Sequence, residues 1–255
     1  MKIMLDAGHY GDYVNMSPCK TNPTYYESTM AWKLHLRLKI ALEKYGFEVG
    51  VTRTKKAVDL DVYSRGQKAK GYDLFLSLHS NACAPADGSF APVEGVDRPV
   101  IIYSLSAGEE QTKIANALGN IVQQTMDTRQ HYQLFQKEYP NRPKVDYYGV
   151  IRGAVDAGCL NAFIIEHGFH TDTRDTEWLL KDANLQKLAD AEAREIAELF
   201  KTEQPTPAPS DEESDIIYTV QAGAFSNQIY ADALRDKLKA EGYGGAYVRM
   251  EKRTK

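Results

Sequence analysis

Apolar positions up to about residue 200 follow two alternating rhythms. KIMLDA (2–7), FEVGVTR (47–53), DLFLSLH (73–79), PVIIYS (99–104) and NAFIIEH (161–167) are short runs dense in apolar and β-branched residues, which predicts strands. Between the first two, Met30, Leu34, Leu38, Ala41, Leu42 and Tyr45 recur on one face of a helix from about Glu27 to Tyr45, and Gly46 stands where such a helix closes. The same spacing predicts helices over about 61–71, 107–126, 147–157 and 175–200. The first strand and the last two are apolar on both of their alternating faces, so they need cover on both sides. The expected class is therefore α/β, a twisted, largely parallel sheet with helices on both faces.

Two stretches break the rhythm. Residues 80–98 (SNACAPADGSFAPVEGVDR) form a long connection rich in Pro, Gly and Ala, and residues 127–146 combine tyrosines with basic side chains. Long connections in a compact domain are functional or disordered. The second is too aromatic for plain disorder, and a substrate-facing lobe is expected there. Beyond Phe200, KTEQPTPAPSDEESD alternates proline with small residues and then turns acidic, the composition of a solvated linker. It separates a large domain (1–201) from a short C-terminal piece (216–255), with the linker at 202–215. That piece reads as a β-α-β half-module: IYTVQAG as a strand, a helix opening at Ser226 or Asn227, and GAYVRM as a second strand. So few residues bury little core alone, so the half-module is expected to pair with a second copy as a weak homodimer, to dock, or to stay poorly ordered.

Composition narrows the partners. With 43% hydrophobic residues in 255, the chain can bury a sizeable core, and a net charge of −4 gives no general attraction to nucleic acid or anionic membranes. No apolar stretch approaches the roughly 20 residues of a membrane span, and the N-terminus lacks the basic region and apolar run of a signal peptide. Synthesis in the cytoplasm without a leader is the expectation. Cys19, Cys83 and Cys159 are scattered with no C-x-x-C pair, and free thiols are expected.

Candidate chemistry gathers where the predicted strands end, which is where open α/β sheets bind ligands. His9 follows the first strand, His79 closes the third in SLHSN, and Glu166 closes the last in IIEHGF. Glu27 opens the first long helix, on the return from the loop after His9. Each alone has a plain reading: a turn or core histidine, or a first-turn acid favoured by the helix dipole. Glu166 is harder to dismiss, because a carboxylate directly after AFII needs a partner or a metal to be buried. Two histidines and one carboxylate make up a catalytic zinc site, with the other carboxylate as base, and the spacing leaves open which carboxylate does which. On an extended segment His167 points away from Glu166, while His170 is a candidate for a supporting or substrate contact.

The strings LDAGHYG, Glu27 at the helix start, VTRT (51–54), DLDVYSRGQKAKGYDLFLSLHSNA (59–82) and FIIEHGFHTDTRD (163–175) together resemble the zinc-dependent N-acetylmuramoyl-L-alanine amidases of the type-3 amidase family. The resemblance implies a peptidoglycan hydrolase cleaving the amide between N-acetylmuramic acid and L-alanine of the stem peptide, with Zn2+ on His9, Glu27 and His79 and Glu166 as the catalytic carboxylate. Tyr10 and HTDT depart from the family, which commonly has glycine and asparagine there. YTVQAGAFSN with the ADALRDKLKAEGY helix resembles the first half of a sporulation-related (SPOR-like) wall-binding repeat. With no leader and a wall substrate, the expected setting is a phage or prophage endolysin that reaches the wall after release. The competing readings are a zinc peptidase or other amidohydrolase on a different wall amide, and a wall-binding protein without catalysis. Small residues around His9 are expected to give a tight turn and room for a bulky glycopeptide.

Overall fold

The first strand is flanked on both edges. In the computed structural model, which describes residues 1–200, 223–225, 227–240 and 247–249, β1 (Lys2–Ala7) pairs in parallel with β2 (Glu48–Val51) and β3 (Leu74–Asn81). The helix α1 (Glu27–Lys44) crosses from β1 to β2, and α2 (Val62–Gln67) from β2 to β3. Next come β4 (Val100–Tyr103), α3 (Glu109–Met126), β5 (Gln133–Phe135), the short antiparallel pair β6 (Glu138–Tyr139) and β7 (Arg142–Asp146), α4 (Gly149–Asp156) and β8 (Ala162–Phe169). The helices α5 (Thr173–Leu179) and α6 (Asp182–Leu199) follow, then α7 (Gln228–Ala240). The main sheet has the order β2-β1-β3-β8-β4-β5.

Alternation assigns the two faces. Ile3, Leu5, Leu74, Leu76, Leu78, Phe163 and Ile165 join the apolar sides of α1, α3 and α6 in one core; Met4, Phe75, Ala162 and Ile164 join α4 in the other. On the second side α2 and α4 touch backbone to backbone. A Cβ on Gly66 would stand 2.2 Å from the Val150 carbonyl oxygen, and one on Gly153 2.2 Å from that of Tyr63.

The main sheet is largely parallel, as expected; within it β4 runs antiparallel to β8, with Val100 opposite Glu166. A parallel return needs a crossover that carries the chain back across the sheet. The connection after β3 instead stays at the edge where β8 ends: the Val93 N–H donates to the Thr171 carbonyl (2.8 Å) and the Gly95 N–H to the Asp172 carboxylate (2.8 Å). The segment expected as one helix over 175–200 is two helices, because the Asn184 side chain donates to the Trp178 carbonyl (3.0 Å) and satisfies an end group of α5. Residues 127–146, expected to be irregular, contain β5 and the β6–β7 hairpin.

The chain divides into Met1–Thr206 and Pro207–Lys255. The linker at 202–215 and most of the two strands expected around α7 lie outside the described residues; Gly223 and residues 247–249, which are described, form no strand. All three cysteines are free, and among the described residues no helix is long and apolar enough to cross a membrane.

Candidate active site

β1, β3 and β8 lie side by side and in parallel, so their C-terminal ends form one edge. The register sets His79 directly opposite Glu166, on the α2/α4 side of the sheet with Phe75 and Ile164. Beneath this edge the end of β1 is pinned by a buried polar network. Asp6 accepts from Thr52 Oγ1 (2.6 Å), Ser77 Oγ (2.7 Å) and the Arg65 guanidinium (3.0 Å), while Arg53 donates to the Ala7 carbonyl. Those residues account for the VTRT and YSRG strings, which carry no site residue themselves.

Beyond Ala7 the chain reverses. His9 and Asn15 both adopt left-handed φ (57° and 54°), a conformation asparagine tolerates better than most residues. The small residues next to His9 also serve a neighbour across the sheet. A Cβ on Gly8 would stand 2.5 to 2.7 Å from three atoms of the His79 ring, so Gly8 makes room for a candidate ligand as well as for a turn.

The three candidate ligands meet here. Among the described residues His9, Glu27 and His79 are the one group of at least three His, Cys, Asp or Glu whose ligand atoms all lie within 4.8 Å of one another. His9 Nε2 is 3.1 Å from Glu27 Oε2, His79 Nδ1 is 2.8 Å from Glu27 Oε1, and the two rings meet edge to face at 5.0 Å. A tetrahedral zinc with bonds of about 2.0–2.1 Å holds its ligand atoms roughly 3.4 Å apart, so this donor set fits that metal in chemistry and in span. Burial works to raise the pKa of the Glu27 carboxyl, but hydrogen bonds from His79 and His9 outweigh it, and the group is held well below the usual range as an anion. Two further donors fix it: the Ser80 N–H to Oε1 (3.1 Å) and Asn15 Nδ2 to Oε2 (2.8 Å).

Glu166 is the opposite case. Burial, and then the charge of Glu27, push its carboxyl well above the usual range, and its Oε2 is buried with no hydrogen-bond partner among the described residues. The alternation argument holds for His167, which lies fully buried on the other face. Its Nδ1 is 2.9 Å from the His79 carbonyl oxygen and its Nε2 is 2.7 Å from Glu192 of α6. His170 is only 4% exposed, stacked on Tyr25 and 2.9 Å from Ser80 Oγ, so it backs the residue that donates to Glu27 and is no substrate contact. Sequence reasoning missed Asn15, Ser80 and Glu192. Only Asn15, an asparagine in the loop between His9 and Glu27, left a signal.

Comparison with known proteins gives the family. Residues 3–198 match the N-acetylmuramoyl-L-alanine amidase family, and residues 214–255 match the SPOR domain. The chain is similar to the amidase CwlM of Bacillus licheniformis (25% identity; 97% of this chain, 85% of that one). It is similar also to a sporulation-specific N-acetylmuramoyl-L-alanine amidase of Bacillus subtilis (24% identity; 95% and 82%). Its fold is that of the catalytic domain of CwlV from Paenibacillus polymyxa (TM-score 0.62 at 18% identity, 79% of this chain and 99% of that one). The AmiC2 amidase of Nostoc punctiforme shares it too (TM-score 0.60 at 18% identity; 79% and 97%). Since the family match runs from the second residue of β1 to the end of α6 and takes in all four residues gathered at the sheet edge, the chain belongs to the N-acetylmuramoyl-L-alanine amidase family, enzymes of peptidoglycan degradation.

Proposed function

We propose that the amidase works as a zinc enzyme, with His9, Glu27 and His79 holding the metal and Glu166 acting as general base on the amide between N-acetylmuramic acid and L-alanine. Zinc in this position would lower the pKa of a water and polarise the scissile carbonyl. The observation that carries the reading is the unpartnered, buried Glu166 Oε2 opposite His79, beside the one three-ligand cluster. A buried carboxylate with an oxygen free of partners among the described residues is placed to act as that base: it takes the proton of the attacking water and can return it to the departing alanine nitrogen. The other residues hold this arrangement in place. Asn15 and Ser80 hold the Glu27 carboxylate in a fixed orientation, and His167 ties the His79 backbone to α6.

Two outcomes test the proposal. Digestion of purified peptidoglycan should expose the amine of L-alanine and no new reducing sugar ends. The Glu166→Gln enzyme should keep one zinc per chain while turnover falls by at least the ~10²-fold typical of a lost base. Release of amines from D-amino acids would move the chemistry to a peptidase, and near-normal turnover would make Glu166 structural.

For residues 216–255 we propose retention on the wall together with weak self-association. Two observations support this: the SPOR match, and the absence of any buried side chain among the described residues of α7, as expected of a half-module that lacks a partner for its core. Deleting the chain beyond Phe200 should leave an active enzyme that sediments less with walls and scatters light as a monomer at all concentrations. If the full chain is also monomeric and sediments no better, neither role stands.

A further inference from the structure

The loop from His9 to Glu27 is folded back along the start of α1, and three contacts set its course. The Glu27 N–H donates to the Asn15 carbonyl (3.0 Å), the Ser28 N–H to that of Val14 (3.3 Å), and Thr29 Oγ1 to that of Asp12 (2.8 Å). Asn15 itself reaches both candidate ligands, with Nδ2 at 3.0 Å from His9 Nε2 and 2.8 Å from Glu27 Oε2. The strip from Asn15 back to Asp12 therefore starts at the proposed metal site and runs along the first turn of the helix.

A depression of about 500 Å³ opens beside this strip. Its walls include Asp12 and Tyr13 of the loop, Tyr26, Met30 and Lys33 at the start of α1, and Leu180 just past α5. Tyr26 directly precedes Glu27, and Met30 stands three residues beyond it, about 60° round the helix axis. Tyr13 is 78% exposed, and its ring meets that of Tyr26 edge-on at 5.1 Å. Among the described residues no cation covers either ring. The charges around the depression are already matched: Lys56 bonds the Asp12 carboxylate, and Lys33 Nζ donates to Asp182 (3.1 Å). What stays open is two tyrosine rings beside an apolar floor of Met30 and Leu180, a surface suited to an uncharged ligand with one apolar face.

We propose that this depression is a glycan subsite, in which Tyr13 and Tyr26 receive an N-acetylhexosamine ring of the peptidoglycan strand, with its acetamido methyl on Met30 and Leu180. The proposal rests on the zinc-site reading above, since it takes the His9–Glu27–His79 cluster as the reacting point. Charge decides between the two halves of the substrate. The stem peptide ends in a carboxylate, for which a depression with its one lysine already paired offers no counter-ion. A sugar needs none. It is also tied through the lactyl group to the carbonyl side of the scissile amide, a few bonds from the reacting carbon, and the depression begins within about one helical turn, roughly 5 Å, of Glu27.

The test is steady-state cleavage of two soluble substrates with the same stem peptide, one a D-lactyl peptide without sugar, the other carrying the N-acetylglucosaminyl-N-acetylmuramic acid disaccharide. The enzymes are the full chain, Tyr13→Ala and Tyr13→Phe. Tyr13 is exposed, so thermal melting and bound zinc should be unchanged in both variants. The wild type should show the lower KM on the disaccharide substrate. Tyr13→Ala should lose about three- to tenfold in kcat/KM on that substrate, the range of one aromatic contact, mainly through KM, and nothing on the lactyl peptide. Tyr13→Phe keeps the ring and should keep the wild-type values. Equal KM values for both substrates in the wild type, or equal losses on both in Tyr13→Ala, would overturn the subsite while leaving the amidase reading intact. A loss confined to the lactyl peptide would assign the depression to the stem peptide and overturn the proposal. If the wild type cuts neither substrate at the lactyl–alanine amide, the underlying reading fails and the subsite with it.

Discussion

Replacing Gly8 with alanine should disable the proposed metal centre while leaving the fold standing. Gly8 is not among the residues of positive φ, so its backbone accepts a side chain, and the whole effect is steric. The new Cβ would lie 2.5 Å from His79 Cε1, 2.6 Å from Nδ1 and 2.7 Å from Nε2, whereas relaxed contacts between such atoms are roughly 3.5 Å or more. The ring must withdraw by about 1 Å, or β1 and β3 must part. A metal site tolerates about 0.2 Å in its ligand distances, so the shift takes His79 out of coordination range. Overpacking of this kind costs about 1–3 kcal/mol, which lowers Tm by roughly 2–12 °C in a domain of this size. Metal affinity should fall by at least ~10- to 100-fold, comparable with losing an orienting contact to a ligand. Zinc content after dialysis against a competing chelator, thermal melting and release of dye from labelled walls report the three quantities separately. A folded Gly8→Ala enzyme that retains one zinc per chain and wild-type turnover would refute the reasoning, since the His79 ring would then not occupy this space.

Removing Glu192 should be far worse than blunting it. The His167–Glu192 pair is fully buried, so Glu192→Ala should cost about 3–5 kcal/mol in urea unfolding, and Glu192→Gln, which can still bond either imidazole nitrogen, about 1 kcal/mol; equal and negligible losses would show that the pair is not a structural tie. Asp175 makes stability fall from acid toward neutral pH: burial lifts its carboxyl from 3.8 to about 7, so the folded state binds the extra proton and stability falls as pH rises between those values, by at most roughly 4 kcal/mol. Asp175→Asn should flatten that slope and raise Tm at pH 8, and a variant with the wild-type slope would clear Asp175 of responsibility. Because the proposed base Glu166 must be ionised to act, turnover should decline as pH drops through its raised value, and an acid limb unchanged in Glu166→Asp would point to another group.

The parts of this protein that could be read in advance are those governed by alternation and by strand ends. In LFLSLHSN and AFIIEHGF the side chains alternate between faces, so His79 shares a side with Phe75 and Glu166 with Ile164, while His167 falls with Phe163 and Ile165. Three parallel strands ending together then bring His9, His79 and Glu166 to one edge without any knowledge of loops. What stayed hidden depends on where the loops go. The direction of β4 turns on a connection anchored at Thr171 and Asp172, more than seventy residues further along the chain, and the break between α5 and α6 on one asparagine side chain meeting one carbonyl. Glu192 was hidden for a related reason. An acid in ADAEAREIAEL reads as the solvated side of an amphipathic helix, and only the fully buried His167 beneath it turns that position into a tie holding a candidate ligand's strand. The same logic explains why Gly8 could be misjudged. A glycine beside a histidine suggests a turn, yet the group it accommodates belongs to a residue seventy-one positions away, and only the register of β1 on β3 brings the two together.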